Sequence, residues 1–186
     1  MDATCLAGHF LIAMPNMVDP NFAGTVTYVC EHSERGALGV VVNRPTDISM
    51  ESLLDQVEIT VSHTALTARK VHYGGPVSVE HGFVLHRPHG TWSSSIKVGD
   101  ELMLTTSKDI LEAVALGQGP SDWLITLGYS GWGAGQLESE LAQNAWLTVP
   151  ASADLLFETP PDRLLEAAMQ RLGISRFALS SVAGHA

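Results

Sequence analysis

Apolar residues along this chain come in short bursts bounded by turn residues rather than in long helical stripes. Phe10 to Ala13 is the first, stopped by Pro15 and Asp19-Pro20-Asn21, and it predicts a short strand. Thr25 to Cys30 supplies a second β-rich run. A loop carrying His32 to Arg35 then leads through Gly36 into Leu38 to Val42, whose near-continuous apolar character predicts a strand buried on both faces, ending at Asn43-Arg44-Pro45. Lys70 to Tyr73, closed by Gly74-Gly75-Pro76-Val77, reads as a further strand, as do Gly82 to His86, Glu101 to Leu104, Trp123 to Leu127 and Ala145 to Val149.

Helical spacing is confined to four short stretches. Ser49 can cap one that places Leu53, Leu54 and Val57 on a single face. Thr106 or Ser107 opens a second, with Ile110, Leu111 and Val114 inward and a stop at Gly117, Gly119 and Pro120. Leu137 to Asn144 is a third. Thr159-Pro160-Pro161-Asp162 begins the last, with Leu164, Leu165, Ala168 and Leu172 facing the core and Gly173 ending it. Glu58 to Arg69 reads as a loop, the Pro88, Gly90 and Ser93 to Ser95 stretch as an exposed connection, and Ser180 to Ala186 as a flexible tail. Strands and helices without regular alternation or a repeat predict a mixed α/β, or α+β, single domain over 1–186 rather than a doubly wound sheet.

Composition narrows the partners. With 186 residues the chain can bury roughly 70% of its unfolded surface in one core. Ten Lys and Arg against twenty Asp and Glu give a net charge of -10. That balance repels phosphate backbones and anionic lipid, and the cations are dispersed, so direct nucleic-acid binding is disfavoured. No stretch approaches the roughly 18 to 20 apolar residues that a membrane helix needs. Cys5 and Cys30 form no CxxC pair, which fits a reducing compartment. The apolar start has no basic residue ahead of it and ends in Pro15, so it reads as a strand and not a signal peptide. These features predict a cytoplasmic protein.

Four ordered blocks carry a family resemblance. They are Gly8 to Pro15 with Asp19 and Phe22; Glu31, His32 and the run GALGVVVNRP from Gly36 to Pro45; Gly74-Gly75-Pro76-Val77 with Gly82 to His86; and GYSGWGAGQLESEL from Gly128 to Leu141, leading to Asn144 to Leu147. With these blocks the chain resembles the bacterial YqgE/AlgH family along nearly its full length. The resemblance implies a mixed, bifurcated sheet closing toward a pseudo-barrel flanked by short helices. It implies no substrate, cofactor or catalytic residue, although the family's name reflects a proposed role in transcriptional regulation. His81 stands where an arginine is more usual, and Leu164 or Leu165 where a tryptophan often opens the last helix.

The segment Gly128 to Glu138 is the leading site candidate, because closely spaced glycines before a helix indicate a tight turn and two large aromatics in that turn demand a partner. Gly128-Tyr129-Ser130-Gly131 is similar to a hydrolase nucleophile elbow, but Trp132 occupies the position of its last glycine and no base is placed beside it. Arg44, at a strand end, can clamp a carboxylate or phosphate in a bidentate fork, or Asn43 and Arg44 can be ordinary turn residues. His81, His86 and His89 with Asp100 form the only local metal-ligand grouping, and their odd spacings put them on alternate strand faces. No complete acid-base, nucleophile or metal set assembles. The expectation is therefore a non-catalytic binding module without a cofactor, taking an unknown protein or a small anionic molecule through His32, Asn43, Arg44, Gly74, Gly75, Tyr129, Trp132 and Gln136. The alternatives are an enzyme using His32 or His86 beside Asn43 and Arg44, and a direct DNA-binding regulator.

Overall fold

The computed structural model describes residues 5–14, 19–20, 22–60 and 69–172. Pro15, Asn21, most of the loop read after Glu58, Gly173 and the tail from Ser180 lie outside the described residues. The apolar bursts become β1 (His9–Ala13), β2 (Val26–Ser33), β3 (Gly36–Val41), β5 (Lys70–Tyr73), β6 (Val77–His86), β8 (Leu102–Thr105) and β10 (Trp146–Pro150). Three amphipathic stretches become α1 (Met50–Gln56), α2 (Lys108–Ala115) and α3 (Gln136–Ala142). The Ser49 hydroxyl accepts the Ser52 amide and caps α1, as its position before the helix predicts.

The segment Gly128 to Gly133 departs most from its sequence reading. It does not turn; it prolongs the preceding strand into β9 (Trp123–Gly133), and the chain reverses at Ala134-Gly135, where Gly135 has a φ of 74°. The reason is tertiary. Gly36 to Gly39 of β3 lies opposite Gly133 to Ser130, so a neighbouring strand supplies the hydrogen bonds that local propensity would give to a turn. Likewise Ser95 is not in a connection but opens β7 (Ser95–Val98), held by antiparallel pairing to β8. β4 (Pro45–Ser49) and α4 (Ala153–Glu158) have no counterpart in the sequence reading. Thr159 consequently ends α4, and the last helix, α5 (Leu164–Gln170), starts through a single 3-10 turn over Pro161–Arg163.

The strands order as β10-β1-β2-β3-β9-β6-β8-β7, with β5 parallel to β9 and β4 antiparallel to β5. β9 is the branch: its first half pairs with β5 and β6, its second half with β3. The changeover falls between Tyr129, which still pairs with β6, and Ser130; Gly128, just before it, has a φ of 78°, and a Cβ there would lie 2.4 Å from the Gly75 carbonyl oxygen. The result is a mixed α+β fold in which the curled, mainly antiparallel sheet forms a half-barrel with a few short helices.

Period-two alternation sorts the strand residues between the two faces. Phe10, Ile12, Val26, Tyr28 and Cys30 join Leu85, Val98, Leu102 and Leu104 inside the curl, where α4 and α5 contribute Leu156, Leu164 and Met169. On the outer face, α1 and α2 cover Val71, Val84, Trp123 and Ile125. A third cluster places Leu137 of α3 over Leu11, Ala13, Val29, Trp132 and Trp146. Each large side chain so buried contributes about 1.5–3 kcal/mol before its ordering entropy is subtracted.

Candidate functional site

The β9–α3 corner, where the sequence concentrates its signature residues, is organised by Glu140. One turn back on α3, the Gln136 amide nitrogen donates to Glu140 Oε2 at 2.9 Å, while Gln136 Oε1 accepts the Gly133 amide at 2.9 Å. Glu140 Oε1 accepts both indole N–H groups, from Trp132 at 3.1 Å and from Trp146 at 2.9 Å. The rings meet edge to face with centroids 6.0 Å apart, and Phe22 packs against both. Only 6% of Trp132 is exposed. The Trp132 ring, one of the eight binding candidates, is thus covered by its neighbours.

His32, near the end of β2, is similarly engaged. Its Nδ1 accepts the Leu6 amide at 3.0 Å, which leaves Nε2–H to donate to Glu138 of α3. That hydrogen bond holds the Glu138 carboxyl below the usual carboxylate range. Its side chain is 4% exposed, so both ring nitrogens serve to pin the N-terminal segment and α3 to the sheet.

Asn43 and Arg44 hold a loop. Asn43 Oδ1 accepts the Val26 amide at 2.9 Å and Nδ2 donates to the Gly24 carbonyl at 3.1 Å. The Arg44 guanidinium donates to the carbonyls of Pro20 at 2.8 Å and Ala23 at 2.7 Å. The same loop carries Phe22 into the tryptophan pair, so Arg44 and Trp132 are connected through it without meeting at a common pocket. Gly74 and Gly75 answer a steric demand: a Cβ on Gly74 would be 2.3 Å from the Gly128 oxygen, and one on Gly75, at φ 154°, would be 2.2 Å from the Tyr129 carbonyl carbon. Tyr129 itself packs edge to face on Phe83, with centroids 5.5 Å apart, on the inner side of the curl.

The eight candidates therefore divide among the inner cluster (Tyr129), the α3 corner (His32, Trp132, Gln136), the loop (Asn43, Arg44) and the turn between β5 and β6 (Gly74, Gly75). None lines either of the two recesses described below. Glu138 and Glu140, which tie His32, Trp132 and Gln136 together, lie in the Gly128 to Leu141 block but are not among the eight candidates. Their signal was available as carboxylates within one turn of Gln136, a spacing that on a short helix otherwise reads as a solvated face.

Groups considered for chemistry are also engaged. Ser130 is fully buried and donates to the Gly74 carbonyl at 3.2 Å. His86 is fully buried: Nδ1–H donates to the Arg87 carbonyl at 2.8 Å, so Nε2 accepts the Thr105 hydroxyl at 2.7 Å, and Thr105 accepts that of Ser95 at 2.9 Å. Burial lowers the His86 pKa. Among the described residues, no group of three or more His, Cys, Asp or Glu is placed to hold a metal ion, and no helix is long and apolar enough to cross a membrane.

Two recesses lie where the flanks of the half-barrel approach each other. They touch at Gly8 and Gly99, where a Cβ on either glycine would be 3.0 Å from the other's Cα, and the Tyr28 hydroxyl spans to the Val98 carbonyl at 3.4 Å. Beside this contact is a recess of about 220 Å³ lined by Gly8, Tyr28, Asp100, Glu101 and Ser152, among others. A second, of about 160 Å³, lies between β2–β3 and β7–β8. Leu38, Phe83, Ile96 and Leu104 make it mainly apolar, Ser94, Ser95 and Thr106 complete its rim, and among the described residues Glu31 is its one ionisable lining residue. Glu31 reaches this position through a bulge in β2, which shifts the register between Val29 and Glu31 and sets Glu31 opposite Leu38.

Comparison with known proteins gives a consistent result. The model of a family described as AlgH-like matches residues 10–176. A UPF0301 protein of Azoarcus is 54% identical over 97% of this chain and 96% of its own length, and one from Bordetella petrii is 57% identical over 99% and 91%. The solution structure of the AlgH protein from Pseudomonas aeruginosa superimposes with a TM-score of 0.82 at 47% identity, covering 97% of this chain and 95% of that one. A Corynebacterium diphtheriae protein, at 20% identity and a TM-score of 0.72, shares the fold.

Proposed function

The chain belongs to the AlgH-like family, and from that membership we propose that it is a non-catalytic, cytoplasmic regulatory module that works by binding a protein partner. The observation carrying this reading is the apolar recess between the flanks of the half-barrel, bordered by the strand β7, where Ile96 is 39% exposed. An apolar recess with room for a single side chain, beside a sheet edge, suits a polypeptide partner. The engagement of His32, His86 and Ser130 in internal hydrogen bonds supports binding over acid-base or nucleophilic work. Of the two partner classes, the recess favours protein over a small anion, since its one ionisable side chain is a carboxylate.

A turnover screen on the purified protein, covering ester, phosphoester, peptide and amide substrates, tests the non-catalytic part. No turnover above buffer is expected. Turnover abolished by His32→Ala or His86→Ala would overturn the reading in favour of an enzyme. A gel-shift titration at low and physiological salt tests direct DNA regulation; with a net charge of -10, no salt-sensitive complex is expected, and a stable one would contradict the proposal.

A further inference from the structure

We propose that the recess between β2–β3 and β7–β8 receives an extended peptide, pairing along β7 and seating an aliphatic side chain among Leu38, Phe83, Ile96 and Leu104, with a basic side chain two positions away meeting Glu31. This rests on the binding-module reading and names its ligand class. Three observations carry it. Among the described residues, β7 pairs with β8 on one side and with no strand on the other, leaving an edge able to accept a further strand. The volume of about 160 Å³ is well below the roughly 300–1,000 Å³ of a site that engulfs a whole small molecule, but it suits a single side chain. Within the recess itself the charge is negative: Glu31 is the ionisable residue lining it among the described residues, in a chain of net charge -10, while Lys97 of β7 is not part of that lining.

The pleat fixes the spacing of the ligand. Residues two apart on an extended peptide point to the same side, so an aliphatic residue in the recess directs its i+2 neighbour along the same lining, toward Glu31. A second copy of this chain fits less well. Edge-to-edge pairing of two β7 strands would bring together Lys97 from each, the kind of edge cation that opposes self-association.

Fluorescence anisotropy with two labelled pentapeptides tests the proposal: Thr-Leu-Thr-Lys-Thr, and the same peptide with glutamate in place of lysine. The lysine peptide is expected to bind wild-type protein at least about tenfold more tightly, a difference of roughly 1.4 kcal/mol. Ile96→Ser should weaken its binding about tenfold, and Glu31→Lys should reverse the preference between the peptides, both with unchanged thermal unfolding. Binding of neither peptide, equal binding of both, or an unaltered preference in Glu31→Lys would overturn the proposal. Concentration-dependent dimerisation in analytical ultracentrifugation that Ile96→Ser abolishes would also overturn it, by assigning the face to a second copy. Failure here leaves the turnover and gel-shift results standing, so the loss of this ligand class is distinguishable from the loss of the binding-module reading.

Discussion

The β9–α3 corner and the seam between β2–β3 and β7–β8 have opposite characters. The corner carries glycines, tryptophans and a histidine, and nearly every polar atom named there has an internal partner: Glu140 takes two indoles and Gln136, and His32 takes Leu6 and Glu138; in the loop beside it Arg44 likewise takes two carbonyls. The seam is built from ordinary residues, Leu38, Phe83, Ile96 and Leu104, around a recess. Conspicuous sequence thus marks where backbones cross at short range, while surface left for a partner arises from the curvature of the sheet. In energetic terms, substitutions in the corner should cost folding, and substitutions in the seam should cost binding.

Gly75→Ala is expected to have the largest effect. Its methyl would overlap backbone atoms of Tyr129 at 2.2 Å, and backbone cannot move aside as a flexible side chain can. Destabilisation of at least about 4 kcal/mol, measured by urea unfolding, is expected. A loss below about 1 kcal/mol would mean that the β5–β6 turn is not clamped on β9.

Glu140→Ala comes next. It strips the acceptor from Trp132 and Trp146 together, and leaving two largely buried donors unpaired is expected to cost about 2–4 kcal/mol. Red-shifted tryptophan emission should accompany the loss as water reaches the indoles. Glu140→Gln, which keeps an acceptor oxygen, should recover part of it.

His72 of β5 extends the comparison to pH. Among the described residues neither of its two buried ring nitrogens has a hydrogen-bond partner, and burial, assisted by Arg69, lowers its pKa to about 4. The unfolded chain takes up a proton near pH 6.5, whereas the folded chain resists until about pH 4. Stability is therefore retained above the unfolded value and falls as pH drops through this window, by a total on the order of 3 kcal/mol. His72→Leu should flatten unfolding free energy between those values, and an unchanged pH slope would remove His72 from the account. The seam should contribute the smallest effect: Ile96→Ser is expected to shift stability by less than about 0.5 kcal/mol, and a loss comparable to that of Glu140→Ala would erase the distinction between the two regions.

Local physics made the strands legible where apolar residues clustered, as in Phe10 to Ala13, and the helices legible where a cap met 3.6-residue spacing, as at Ser49. The half-barrel was expected only through the family resemblance. The glycines of β9 misled because a glycine that permits close approach of two strands has the same local signature as one that makes a turn; only the pairing of Gly36 to Gly39 separates the cases. β7 was hidden among serines for a related reason, its strand character coming from β8. At the candidate site the residues His32, Arg44, Trp132 and Gln136 were legible as unusual, but not their partners Glu138 and Glu140. The seam was not legible at all, because Leu38 and Ile96 come together through sheet curvature that no local pattern encodes.

The most direct test of this division is amide and indole chemical-shift mapping on isotope-labelled protein titrated with the leucine-lysine pentapeptide. The expected result is saturable shifts centred on Leu38, Phe83, Ile96, Leu104 and Thr106, with the Trp132 and Trp146 indole signals unmoved. Shifts centred on Trp132, Gln136 and His32, or no saturable shifts, would contradict the assignment of scaffold to the corner and binding to the seam.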